Sequence, residues 1–246
     1  MLRLLLLCLS GLGIAWAAVA GPQSLAEAPV ISVGRQASSG ATFSTSQLEA
    51  MLAVEPGKSL RRFCSTDLDR GRLLIAARLA DEVTQTSADL AEMDRGLDVL
   101  EATARRVLAC SPYDGYAWLA LYWTTGRREG FQSRAFDFLA MSYDVAPREG
   151  WIAVRRNVQA AMAFSGLPAP LRAQVSVEWR EMVNAQLYEA AAASLSQISE
   201  ADRPLLFEQR EGIHERRWTA FSRFLHARGS EIVLPGAPLL PPRPWR

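Results

Sequence analysis

A group of proline, glycine and large apolar residues occurs twice in this chain. Pro112, Gly115, Tyr116 and Leu119 return 35 residues later as Pro147, Gly150, Trp151 and Val154. Each proline stands just before an apolar run with helical spacing, where it disfavours helix for the residue ahead of it. The stretch from Ser111 to Asn157 therefore reads as helix, short turn, helix and the start of a third helix. A repeat of this length is one helix hairpin, which buries its apolar face only against a neighbour. Such a chain is constrained to pile helices on helices.

The rest of the sequence agrees. Leu68, Leu74, Ile75, Leu79 and Val83 keep helical spacing behind a capping Ser65 or Thr66. Ser87 is read as the opening of an amphipathic helix, with Leu90, Met93, Leu97, Leu100, Ala104, Val107 and Leu108 on one face and charges on the other. Tyr116 to Thr125, Phe131 to Tyr143 and Glu149 to Phe164 follow, with a turn expected over Gly126 to Gly130. Pro168 and Pro170 start a further helix, Asn184 to Ile198 continues helical, and Glu200 to Ile213 and Glu215 to Ala227 complete the set. No pair of alternating segments reads as strands. The expected fold class is all-α, with antiparallel helix hairpins stacked as a short, irregular solenoid. The expected helical domain covers residues 46–229, with a repeat-like core at 87–164 and a proline-rich tail at 230–246 that should be extended.

The N-terminus points to export. Arg3 precedes a run from Leu4 to Ala20 that is apolar apart from Ser10, and Ala18-Val19-Ala20 before Gly21 fits a small-x-small cleavage site. Residues 1–20 are thus a signal peptide or a membrane anchor, and the expected location is the periplasm, soluble or held to the inner membrane by residues 4–20. Residues 21–45, rich in Gly, Ser, Ala and Thr, read as a flexible tether. Cys64 and Cys110 remain beyond the leader, one before a helix and one ending the next. In an oxidising compartment they can form a disulfide across an antiparallel pair, stabilising by about 3–4 kcal/mol; two separate thiols are the alternative.

Two resemblances follow from the central stretch. Trp118 and Leu121, then Ala135 and Leu139, then Pro147 stand where a tetratricopeptide repeat has its first-helix Trp and Leu, its second-helix Ala and large apolar residue, and its closing proline. The chain departs from that pattern at Tyr122, where a small residue belongs, at Thr125, where an aromatic belongs, and by one extra residue in the turn. It resembles a degenerate tetratricopeptide-like repeat. Separately, Cys110-Ser111-Pro112, Trp118-Leu119, Met141-Ser142-Tyr143, Pro147, Glu149-Gly150-Trp151-Ile152-Ala153 and Arg155-Arg156-Asn157 resemble small exported alphaproteobacterial proteins that accompany exopolysaccharide-synthesis genes. That resemblance implies a cell-envelope setting and no chemistry.

Motifs that would carry catalysis are missing. The sequence has no nucleophile elbow and no phosphate-cradling glycine loop, and His214 and His226 fall at the two ends of one expected helix. No metal or cofactor is expected. A net charge of +1, from 27 basic and 26 acidic residues, gives no footprint for nucleic acid. The expected role is a non-enzymatic adaptor with a protein partner in the envelope, an acidic polysaccharide being a second possible ligand. Candidate partner- or glycan-binding residues are Tyr122, Trp123, Arg127, Arg128, Trp151, Arg155 and Arg156, as aromatic faces and cations near the repeat. An envelope enzyme acting on glycan through a lone acid is the alternative, with Glu149 the residue to examine; a direct glycan-binding module is another.

Overall fold

The helical periods read from the sequence become eleven α-helices in a computed structural model that describes residues 2–53 and 64–238. Among the described residues there are no strands, so the all-α class holds. The chain divides into two compact units, Met1–Ala120 and Leu121–Arg246.

In the first unit, α1 (Leu2–Ser38) runs unbroken through Pro22 and Pro29. The expected tether at 21–45 is therefore helical as far as Ser38. The reason is tertiary: Glu27, Val30, Gly34 and Ala37 recur at helical spacing and are buried, so packing overrides weak local propensity. α1 lies against α3 (Thr66–Thr86), and Gly34 meets Gly71 so closely that a Cβ on Gly34 would sit 2.5 Å from the Gly71 carbonyl oxygen. A short α2 (Thr45–Ala53) adds Leu48 to a core with Val30, Leu68, Ile75 and Leu79.

Ser65 precedes α3 as expected, but its hydroxyl donates to Glu27 Oε2 at 2.7 Å instead of capping the helix. α4 (Leu90–Cys110) is capped by Asp89, whose carboxylate accepts from the Ala91 amide, while Ser87 closes α3. α3 and α4 form a hairpin. The face expected to be apolar is buried at Leu97, Leu100, Ala104 and Val107, whereas Leu90 at the helix start is exposed.

α5 (Gly115–Glu129) begins in this unit. Asp114 caps it, accepting from the Tyr116 and Ala117 amides at 3.0 Å, while its other oxygen takes two hydrogen bonds from Arg70 at 2.8 and 3.0 Å. One buried carboxylate thus satisfies orphan amides of α5 and fixes α3 beside them.

The second unit opens with the rest of α5, which runs past the expected turn at Gly126 to Glu129, and the ring of Phe131 occupies the space where the Gly126 Cβ would lie. Gly130, at φ 85°, makes the turn instead. α6 (Ser133–Val145), α7 (Gly150–Ala161) and α8 (Ala169–Asn184) follow, α8 with proline in its first turn. The helix expected from Asn184 is interrupted at Gln186, where φ is 63°, and resumes as α9 (Tyr188–Gln197). α10 (Arg203–Phe207) continues as a 3-10 turn, and α11 (Glu215–Ala227) ends before Gly229 at φ 81°. α7 packs on both α8 and α9.

An aromatic core closes this unit. Trp179 of α8 meets Trp218 edge-on at 6.2 Å and Phe221 at 5.9 Å, and its indole N–H donates to the Ala191 carbonyl. The start of the expected tail is tied down here: Leu234 is buried, and the Trp218 indole donates to the Pro235 carbonyl. The proline-rich segment at 241–245 lies outside the described residues.

Candidate functional site

The candidate side chains divide by the helix face on which they fall. Tyr122 and Trp123 are not surface residues: they are 0% and 8% exposed. The Tyr122 ring packs on Phe131 at 5.3 Å, its hydroxyl donates to the Gln159 carbonyl at 3.3 Å, and burial pushes its phenol well above the ordinary range. The large residue that breaks the repeat pattern fills core volume. Its assignment as a binding residue is corrected accordingly, and Trp123 follows it.

Arg156 is a second correction. It is 0% exposed and all five of its N–H directions are used. Nε and Nη2 donate to Glu178 Oε1 at 3.1 and 2.6 Å; Nη1 donates to the Ser142 carbonyl and hydroxyl oxygens, and Nη2 also to the Ala146 carbonyl. Glu178 Oε2 accepts from the Tyr143 hydroxyl at 2.8 Å and from Asn157 Nδ2 at 3.3 Å. The guanidinium also lies 3.9 Å from the centre of the Tyr143 ring. Burial, and then the Glu178 carboxylate, push the Tyr143 phenol well above the ordinary range. These groups hold α6, α7 and α8 in register. The cation is committed to the carboxylate, so neither reaches a ligand in solution.

This cluster escaped sequence reasoning, although a signal was present. Ile152, Ala153, Arg156, Asn157 and Ala160 follow the spacing of one helix face, and all are buried. Trp151 and Arg155, four residues apart, fall on another side of α7 and remain partly exposed. The Trp151 indole donates to Glu149 Oε2 at 2.9 Å, and Arg155 Nη1 donates to the Trp151 carbonyl at 3.2 Å. Glu149 itself is exposed at the cap position of α7. Arg127 and Arg128 are exposed in the last turn of α5, where cations favour the helix dipole. Of the candidate side chains on this unit, Arg127, Arg128 and Glu149 are thus exposed and Trp151 and Arg155 partly so.

The first unit contributes different features. Cys64 and Cys110 are joined in a disulfide, Cα to Cα 5.6 Å, stapling the start of α3 to the end of α4. Beside it an open groove of ≈ 610 Å³ lies between α1 and the start of α3. Ser24, Glu27, Ile31, Arg35, Cys64 and Asp67 are among its lining residues. α1 carries the one stretch among the described residues long and apolar enough to cross a membrane, Leu5–Pro22, with mean hydropathy 1.8 and no part of it buried. Among the described residues no three His, Cys, Asp or Glu side chains converge as a metal site.

No family model matches the chain, and neither a curated protein nor a solved structure does.

Proposed function

We propose that this protein is a non-enzymatic, exported adaptor of a cell-envelope assembly, one that serves exopolysaccharide synthesis or export. The observation that carries the reading is found in one unit: an apolar, unburied N-terminal helix together with a disulfide between two helices. Disulfides persist in oxidising compartments, which a chain reaches by way of such a helix. These two features support the periplasm as the location. A stack of tetratricopeptide-like hairpins is supported by α7, which packs on both its neighbour α8 and the next helix but one, α9. The partner surface is the partly exposed Trp151 and Arg155 with Glu149, held in place by the buried Arg156–Glu178 pair beneath the same helix. Tryptophan and arginine are among the residues enriched at protein interfaces.

Photocrosslinking in intact cells tests this. A crosslinker in place of Trp151 should trap one discrete envelope protein, and one at exposed Arg95 on α4 should not. Absence of a discrete adduct at residue 151, with polymer yield unchanged on gene deletion, sinks the adaptor reading. Loss of polymer processing in Glu149→Gln with partner capture intact would instead favour the glycan-acting enzyme.

A further inference from the structure

Residues 4–26 carry no charged side chain, a 23-residue stretch bounded by Arg3 and Glu27. As helix it is about 34 Å long, against a hydrocarbon layer of about 30 Å. It extends six residues beyond Ala20, the end of the small-x-small motif, and those six include Leu25, which is 78% exposed. At Glu27 the surroundings of the helix change. Glu27, Val30, Gly34 and Ala37 are buried, Glu27 is bonded to Ser65, and Gly34 lies against the backbone of Gly71. Burial against α3 begins at Glu27, and no turn separates the docked part of the helix from the exposed part.

We propose that α1 is a permanent membrane anchor, kept after export and joined rigidly to the first unit at the Gly34–Gly71 contact. The occupant of its exposed surface is the hydrocarbon of one bilayer. Three features favour this over a cleaved leader. The apolar stretch Leu5–Pro22 is long enough to cross a membrane and overruns the motif by two residues. Ala18 to Gly21 stand inside an unbroken helix that continues to Ser38 and docks on α3. Arg3, the only charge before Glu27, marks the end retained on the cytoplasmic side. The disulfide lies one residue from Ser65, so the staple sits beside the point where α1 emerges. The joint stabilises itself: interdigitated backbones at two glycines leave no room for the helix to rotate about its axis.

The inference rests on the export part of the proposed function and not on any partner. Its test uses the full chain expressed in a bacterial envelope. Intact mass should include residues 1–20, and the protein should stay in the membrane pellet after an alkaline carbonate wash. The double variant Ala18→Leu, Ala20→Leu, which destroys the small-x-small motif, should match wild type in both. A wild-type protein beginning at Gly21, with the variant remaining full length, overturns the anchor and leaves the adaptor reading standing. For the joint, Gly34→Leu should stay in the pellet yet be cut by protease between α1 and α3 at least tenfold faster. Alkylation of free thiols should show that Cys64 and Cys110 remain bonded in it, so the rest of the unit is folded. Wild-type protease resistance in Gly34→Leu overturns the rigid joint.

Discussion

Arg156 and Glu178 meet at 2.6 Å with side chains 0% and 8% exposed, and every N–H of the guanidinium has an acceptor. A pair so enclosed is costly to break from one side, because the survivor keeps its charge and loses its partner. Arg156→Met and Glu178→Leu should each cost about 3–5 kcal/mol. The double variant should recover much of that loss, since apolar residues of similar volume substitute for buried pairs with little penalty. Urea denaturation of the four proteins reads the coupling directly; additive losses would contradict it.

Two buried phenols make the second unit sensitive to alkali. Tyr143 and Tyr122 both have phenols held above their ordinary range, chiefly by burial. A phenol whose folded pKa is raised keeps its proton in the native state when the unfolded chain has lost it. The associated stability is therefore fully present below about pH 10, the unfolded value, and is lost as pH rises toward the folded value. Melting temperature should fall steeply above about pH 10, and the fall should be shallower in Tyr122→Phe. Identical slopes in the variant and wild type would remove Tyr122 from the account.

Reduction should weaken the first unit selectively. The Cys64–Cys110 bond closes a loop with a sequence separation of 46, for which chain entropy gives about 4 kcal/mol. Cys110→Ser should show a loss of that order, and a reducing agent should lower the wild type to the same level without further effect on the variant. Hydrogen exchange should localise the change to α3 and α4.

Glycine positions offer a contrast in sign. A Cβ on Gly34 would clash with the Gly71 backbone, so Gly34→Ala should destabilise by about 1–3 kcal/mol despite its better helix propensity. Gly96, inside α4, has its nearest neighbour at 3.7 Å. Gly96→Ala should stabilise by up to about 1 kcal/mol, because only the propensity term changes there. Thermal denaturation of both variants checks the pair.

Much of this architecture was legible because helices announce themselves locally. The buried face of α4, the proline entry of α8 and the span of α11 follow from spacing and punctuation within one segment. The failures share a cause in long-range contact. Residues 21–38 look like a tether until α3 is there to pack against, and Gly126 looks like a turn until Phe131 covers it. Arg156 reads as a binding candidate beside Arg155 because the acid that draws it inward is 22 residues away in sequence. The candidate surface was accordingly half legible: Trp151, Arg155, Arg127 and Arg128 keep some exposure, while Tyr122, Trp123 and Arg156 belong to the interior.

The ring of Phe131 over Gly126 ties the fates of two positions five apart in the chain. Any side chain at 126 evicts the aromatic, and a smaller residue at 131 uncovers Tyr122, so neither site can drift alone. Lineages descended from this sequence should change the two together or leave both untouched, a pairwise dependence that mutational trajectories through single steps will find hard to cross.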